Sequence, residues 1–445
     1  MSNPNFLVAG TANAGVYKTN DKGLNWVPIT ENLLIGECIA IEIQFNNTDV
    51  IYAGGNGRIY KTTDGGANWA ETGDAAFNSN FHKVYSIVMV PGQEQKLFAS
   101  TNFGLYGTLD GGATWNQLVA CPGTGEYFGD IELHPTDNNI IYAIYNAKLV
   151  GNANKITQFY KSTDAGASFA PVTLWPSTAA ALAGANHQRR AEIAVTPAAP
   201  NRVYAILTGK AAGGEGLYGF YRSEDAGETW THYCCGSGPG GLAAIDNTNV
   251  MGYDTDGTDD GGQYYYDLAI AADQINPDKV HVAGIMQWLS TDAGNSFTCL
   301  NSWSEPDGDL YVHADIHDIR IYNNEVWVAC DGGIFLSEDS GLVNFNRRQL
   351  GIAGTDFWGF GAGFKDGNIM LGGTYHNSHL LKNNNVYQNG WISYTGSADG
   401  FRGFVNPGFN KWVYNDSRKD KVPNTRTDPF TSYPFDKQPN ASYFL

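Results

Sequence analysis

The apolar positions of this 445-residue chain fall in short runs that recur in a fixed order. An apolar stretch is followed by a polar turn, a short strand ending in Tyr or a similar residue, a glycine, another strand and a second polar turn. In the second unit these are Ile39-Ala40-Ile41-Glu42-Ile43, Val50-Ile51-Tyr52-Ala53-Gly54 and Arg58-Ile59-Tyr60-Lys61, followed by Thr62 to Trp69. Four short antiparallel strands per period, repeated radially, predict an all-β fold: a β-propeller of four-stranded antiparallel blades.

The turn that closes each unit is the most regular feature. It reads Ser or Thr, any residue, Asp, any residue, Gly, then an aromatic three positions on. Its copies centre on Asp21, Asp64, Asp110, Asp164, Asp225, Asp292 and Asp339, with aromatics Trp26, Trp69, Trp115, Phe169, Trp230, Phe297 and Phe345, the last after one extra residue. Successive aspartates lie 43, 46, 54, 61, 67 and 47 residues apart, the period of a four-stranded sheet. The chemistry expected of the turn is local. The Asp carboxylate accepts hydrogen bonds from its own turn, Gly supplies a positive φ, and the aromatic packs back between neighbouring sheets.

These residues resemble the Asp-box, or BNR repeat, of sialidases, sortilin-type receptors and xyloglucanase-type glycoside hydrolases. In those families the box is a folding device at the turn between the third and fourth strands, which implies a structural role for the seven aspartates. A second resemblance, to large secreted bacterial Asp-box proteins, is carried by Tyr266-Asp267-Leu268-Ala269-Ile270, His313-Ala314-Asp315-Ile316-His317, Asp331-Gly332-Gly333-Ile334 and Ala398-Asp399-Gly400. One landmark departs: Gly372-Gly373-Thr374-Tyr375-His376-Asn377 stands where such proteins carry Gly-Gly-Thr-Gln-Asp-Asn. A sialidase is disfavoured, because the Arg-Ile-Pro signature and a recognisable arginine triad are missing.

Composition narrows the partners. A formal net charge of -18 repels phosphate backbones and anionic membrane surfaces, so nucleic acid is excluded as the expected ligand. No stretch approaches the roughly 20 apolar residues of a membrane span. The first unit opens on Phe6-Leu7-Val8-Ala9-Gly10, matching the middle of later units and lacking their first strand, as expected of a fragment or processed form of a larger secreted chain. Six cysteines, including adjacent Cys234 and Cys235, are compatible with an oxidising space, and that adjacent pair is a candidate disulfide as much as two free thiols. The expected location is extracellular or at the cell surface.

The expected division is residues 1–350, blades one to seven with the first partial, and residues 351–445, further degenerate blades with an irregular tail. In that second part Phe357 to Trp391 reads as a blade, Gly400 to Asn415 as the start of another, and Asp416 to Leu445 as patternless. Either one ring of eight to ten blades results, or a seven-bladed ring ends near Leu350 and a second begins.

In a propeller the first strand of each blade lines the central channel, and the connections into it lie on the face opposite the Asp turns. Aligning first strands puts Ala40, Ser86, Asp130, Glu192, Asp267, Asp315 and Gly359 at the start. Four consecutive blades then carry a carboxylate, and the long connections Ala147 to Gln158, Trp175 to Arg190, Thr208 to Gly219 and Cys234 to Gln263 emerge on the same face. Asp130, Glu192, Asp267 and Asp315 are the candidate catalytic acids and bases; alternatively they hold neighbouring strand amides or bind ordered water in the channel. Strand alternation would place His313, Asp315 and His317 on one face, about 7 Å apart, as ligand-binding groups or metal ligands. Asp254, Asp256, Asp259 and Asp260 resemble the opening of a calcium loop, although the twelfth position is Tyr265 and not Glu. Among Tyr264, Tyr265, Tyr266, Trp288, Trp303, Phe357 and Trp358, the two expected to be exposed for stacking on sugar rings are Tyr265 and Trp303. Two functions compete: a recognition module binding glycan or protein on the loop-rich face, and an endo-acting glycoside hydrolase using paired carboxylates.

Overall fold

The computed structural model describes residues 3–33, 35–55, 57–73, 83–121, 123–150, 154–176, 187–211, 214–234, 248–259, 261–263, 265–305, 308–354, 357–374, 378–386, 391–393, 400, 402–407, 412–415, 418–422 and 431–434. Every regular element among them is a β-strand. They form nine antiparallel sheets, eight of four strands and one of three, each with its strands in chain order. The chain divides into two compact units, Met1–Ile352 and Ala353–Leu445.

Seven sheets make the first unit, and the repeated turn builds each in the same way. In the third, Thr108 donates its hydroxyl to Asp110 Oδ1 at 2.7 Å and accepts the Gly112 N–H at 3.0 Å. Asp110 also accepts the Thr114 N–H at 2.9 Å and the Thr114 hydroxyl at 2.7 Å. Those donors, with Thr114 first, hold the Asp110 carboxyl down at about 2. The residue four after the Asp is therefore part of the device: Asn25, Asn68, Ser168, Thr229 and Ser296 donate from the same place. In the seventh copy the residue four after the Asp is Val343, which has no side-chain donor, and Asp339 is served by the backbone of Val343 and Leu342.

Each turn aromatic docks on the preceding sheet. Trp69 donates its indole N–H to Ile29 O at 2.8 Å, and Trp115 donates to Thr72 Oγ1 at 3.3 Å. Phe169, Trp230 and Phe297 meet Phe98, Phe159 and Phe220 edge-on, at 6.0, 5.1 and 5.0 Å between ring centroids. Phe345 packs with Ala269 and Ala283 of the sixth sheet. The series then returns to its start: Trp26 donates its indole N–H to Arg348 O at 2.7 Å and its backbone N–H to Leu350 O at 2.8 Å. Sheet one thus docks on sheet seven, and the first unit closes as a ring of seven blades. Its core is divided among the spaces between successive blades, one apolar cluster to each of the six from blades one and two to blades six and seven.

The inner strands share a code. Ile41, Ile87, Ile131, Ile193, Ile270 and Ile319 stand at one register position, opposite Ala53, Ala99, Ala143, Ala205, Val282 and Val328. Alternation sends this isoleucine toward the preceding blade and its polar neighbours toward the following one.

Two expectations about length are corrected. The excess at Ala147 to Gln158 and Thr208 to Gly219 is paired hairpin, with Leu149 opposite Lys155 and Lys210 opposite Glu215. The tail read as patternless contains strands Arg418–Lys421 and Thr431–Pro434, which complete a sheet with Gly403–Val405 and Trp412–Asn415. Backbone pairing, which leaves no periodicity in a polar sequence, makes them. In the second unit this sheet shares Val405, Val413 and Val422 with Ile369, Leu371 and Leu381 of its neighbour.

Replacing Trp26 or Trp115 by Ala is expected to cost about 3–5 kcal/mol in chemical denaturation, because each removes a buried ring between blades. Trp26→Phe, which keeps most of the packing and loses the bond to Arg348 O, is expected to cost about 1 kcal/mol.

Candidate functional site

The inner strands project charge into the channel. Glu42, Asp130, Glu132, Glu192 and Asp318 interact electrostatically there, with Arg190 and Arg320 as counter-charges. Two of these carboxylates hold neighbouring strand amides, which for Asp130 is the alternative raised above. Asp130 Oδ2 accepts the Ile193 N–H at 3.0 Å, and Glu42 Oε1 accepts the Met89 N–H at 3.1 Å. Glu192 is paired with Arg190. Burial, partly offset by Arg190, pushes Glu192 up to about 7, and burial together with Asp130 takes Glu132 to about 8.

Arg190 links this channel to the loop-rich face. Its guanidinium donates to Tyr266 O at 3.1 Å and to Leu268 O at 3.2 Å, clamping the residues on either side of Asp267. Asp267 is fully buried, and neither carboxylate oxygen has a hydrogen-bond partner among the described residues. Burial, then the charge of nearby Asp315, pushes its carboxyl up to about 7.

Asp315 accepts Gln263 Nε2 at 2.9 Å and sits at a φ of 63°, a sharp backbone reversal before the inner strand of blade seven. Beyond it, His317 Nε2 lies 2.9 Å from Asp331 Oδ1, and the Tyr266 hydroxyl donates to the same carboxylate at 3.0 Å. The Tyr266 and His317 rings meet edge-on at 4.9 Å. Trp303 donates its indole N–H to Tyr253 O at 3.3 Å. Burial, then Tyr265, Asp267, Asp315 and Asp259, push the Tyr253 phenol up, so these groups share one neighbourhood. Its aromatic surface is open: Tyr265 is 70% exposed, Trp303 48%, Tyr253 46% and Tyr266 43%.

The structure therefore brings Asp267, Asp315, His317, Tyr265 and Trp303 together and leaves Asp130 and Glu192 in the channel. The alignment that grouped the four carboxylates slips. The positions equivalent to Asp130 are Ala269 in blade six and Asp318 in blade seven, and in the eighth sheet Phe360 takes the place given to Gly359. The alternation from His313 also fails, because the strand begins at Ile316 and His317 is the extra residue of a bulge between Ile316 and Asp318. His313 lies 3.1 Å from Ala314 O through Nδ1. Each polar residue of that segment thus has its own partner. No group of three or more His, Cys, Asp or Glu side chains among the described residues is arranged for a metal.

In the loop resembling a calcium site, Asp259 accepts the Tyr253 N–H at 2.9 Å and Asp256 accepts the Thr258 N–H at 3.0 Å, so both carboxylates serve their own turn. Asp254 is there an amide donor to Asp259. Asp260, Tyr264, Cys235 and the segment Tyr375 to Asn377 lie outside the described residues; Cys234 is disulfide-bonded. Tyr253, Gln263, Asp331 and Arg190 were not among the expected site residues, although Asp331 stands in one of the landmarks and Arg190 and Gln263 end two of the long connections. Glu132 could have been found by stepping two residues from Asp130, whereas Asp318 lies three residues beyond Asp315, across the bulge at His317.

No protein-family model matches the chain, and no curated protein matches it in sequence. Solved structures do. A GH74 enzyme from Niastella koreensis aligns with a TM-score of 0.54 at 15% identity, over 96% of this chain and 70% of that one. The fold is that of the β-propellers. The GH74 xyloglucanase from Xanthomonas campestris aligns at 0.32 and 14% identity, over 93% and 80% of the two chains. YCF48 bound to a D1 peptide aligns at 0.46 and 16% identity, over 76% and 97%. No described helix is long and apolar enough to cross a membrane.

The sign of the pH dependence follows from burial. A carboxyl whose folded value is raised to about 7 binds more protons folded than unfolded between that value and its ordinary 3.8, so stability falls as pH rises through this window. Asp267→Asn is expected to stabilise the protein at pH 8 by up to about 4 kcal/mol and to change little at pH 4, flattening the profile measured by thermal unfolding. Glu42, Glu132 and Glu192 leave a residual slope of the same sign.

Proposed function

We propose that this protein is a recognition module that binds a glycan on the loop-rich face of blades five to seven. The observation that carries this reading is the cluster of open aromatic rings, Tyr253, Tyr265, Tyr266 and Trp303, beside Asp315, Asp331 and His317. Sugar rings offer apolar C–H faces for stacking and hydroxyls for carboxylate and imidazole partners, and this face supplies both. The likeness to a GH74 enzyme supports the ligand class only as far as a shared fold does. A secreted or cell-surface location belongs to the same reading, and the disulfide at Cys234 supports it.

Binding of a panel of neutral plant and microbial polysaccharides, by affinity electrophoresis and calorimetry, tests the proposal. Tyr265→Ala and Trp303→Ala are each expected to weaken binding about tenfold, the loss of one stacking contact. Both side chains are exposed, so the unfolding midpoint should not move. Wild-type affinity in both variants, or no retention by any polysaccharide, would overturn the assignment.

A second reading, an endo-acting glycoside hydrolase, draws support from one feature: Asp267 holds its proton close to neutrality beside a second carboxyl group, Asp315, as an acid catalyst requires. Its full burial counts against contact with a polymer. Release of new reducing ends from the same panel, abolished by Asp315→Ala, would establish this activity; folded protein that releases none would eliminate it.

A further inference from the structure

The loop-rich face of blades five to seven is short of positive charge. Between Arg222 and Arg347 the sequence carries only Lys279 and Arg320 as basic residues. Lys279 donates to Ser340 O at 2.9 Å, in the repeated turn of blade seven and so on the opposite face. Arg320 lies in the channel, where its Nε donates to Asp318 at 3.0 Å. Arg190 approaches the loop face from blade five, but its guanidinium is engaged by Glu192 and by the carbonyl groups of Tyr266 and Leu268.

Carboxylates are the reverse case. Asp259, Asp267 and Asp315 all act on the Tyr253 phenol, and Asp331 accepts the Tyr266 hydroxyl at 3.0 Å. Acidic side chains on exposed loops are ordinarily solvated and select nothing by themselves. Asp267 differs. It is 0% exposed, and both of its oxygens lack a hydrogen-bond partner among the described residues. A buried carboxyl without a donor is costly, and the charges that reach it are those of Asp315, foremost, then His317 and Arg190. Asp267 and Asp315 therefore lie next to open aromatic rings with a charge deficit that one cation would fill.

The group that fits joins positive charge to an apolar face. Cations are drawn both to carboxylates and to the faces of Tyr and Trp rings. A lysine side chain brings its charge on a flexible stem and covers one ring at most. Successive sugar rings in a polymer cover several, here Tyr253, Tyr265, Tyr266 and Trp303, with less ordering entropy to lose.

We propose that the glycan bound by this face is cationic, a polymer of amino sugars, with one ammonium group held by Asp315 beside Asp267 and neighbouring sugar rings stacked on Tyr265 and Trp303. This rests on the glycan reading given above and names the charge of its ligand. The ammonium donates to the Asp315 carboxylate, and its charge offsets Asp267 through space without entering the buried position.

The probes are a β-1,4-linked glucosamine hexamer and its fully N-acetylated counterpart, which keeps the sugar rings and removes the charge. Each is titrated calorimetrically into the full chain at low salt, just below neutral pH. The glucosamine hexamer is expected to bind about tenfold more tightly, the worth of one charge-assisted contact, and high salt should erase most of that advantage. Asp315→Asn, a replacement that tolerates the positive φ of this position, should bring the two hexamers to equal affinity. Trp303→Ala should weaken both alike. If Asp315→Asn fails to fold, acetylation and salt on the unaltered protein still decide.

Equal affinity of the two hexamers for the unaltered protein overturns the proposal and leaves the glycan reading standing. Binding of neutral polysaccharides with refusal of the glucosamine hexamer does the same. A lysine hexamer held as tightly as the glucosamine hexamer overturns it in favour of a basic protein segment. Refusal of both sugar hexamers and of every polysaccharide removes both readings.

Discussion

The docking of each turn aromatic on the preceding blade is the contact on which the rest of the structure depends. A four-stranded sheet exposes two apolar faces and is not stable alone. Here each face is covered by a neighbour, and the aromatic carried by the turn is the piece that crosses the gap. The turn hydrogen bonds fix the direction of that ring: the Ser or Thr hydroxyl and the Asp carboxylate lock the backbone through Gly, and the aromatic leaves the turn along a set line. Because Trp26 reaches Arg348 and Leu350, the series closes on itself, and the position of every inner strand follows from closure.

Closure brings six inner strands around one axis and creates a second problem, a crowded polar channel. The inner-strand code solves it in part. Isoleucine turns toward the preceding blade and supplies the apolar seam, while in blades two, four and seven the next residue along, Glu42, Glu132 and Arg320, carries charge toward the following blade. Asp130 and Glu42 satisfy strand amides that the sheet ladder cannot reach. The surplus of carboxylates over guanidinium groups is tolerated because burial raises Glu42 to about 7 and Glu132 to about 8, so protons stand in for missing cations.

The fold was largely legible in the sequence because its devices are local. The turn motif spans only a few residues, and its spacing reports the blade period directly. The division near residue 350 rested on the loss of that motif after Phe345. The site was less legible, for a geometric cause. Grouping Asp130, Glu192, Asp267 and Asp315 rested on aligning the first strands, yet Asp267 precedes the inner strand of blade six, Asp315 reverses the chain before that of blade seven, and the bulge at His317 breaks the alternation from His313. A single inserted residue leaves no mark in composition. Tyr265 and Trp303 were found because long connections with aromatics lie outside the blade period. Asp331 and Gln263 were missed because only tertiary placement gives them partners.

Asp267 and the turn aspartates show how one residue type acquires opposite roles in one fold. Asp110 receives hydrogen bonds from Thr108 and from both donors of Thr114, and its charge stabilises the folded state. Asp267 receives none among the described residues, and its charge opposes folding. The difference lies in the backbone around each. A tight turn converges its N–H groups on one point, whereas Arg190 fixes the segment through Tyr266 and Leu268 by taking carbonyl oxygens, leaving the carboxyl between them without a donor. Near neutral pH a group so placed keeps its proton for much of the time, which spares Asp315 a second full negative charge beside it. Asp315 accepts Gln263 Nε2 and acts electrostatically on the nearby Tyr253 phenol. The aspartates on the turn face build the scaffold; on the loop face, lack of a donor for Asp267 sets a carboxyl that favours its proton beside Asp315.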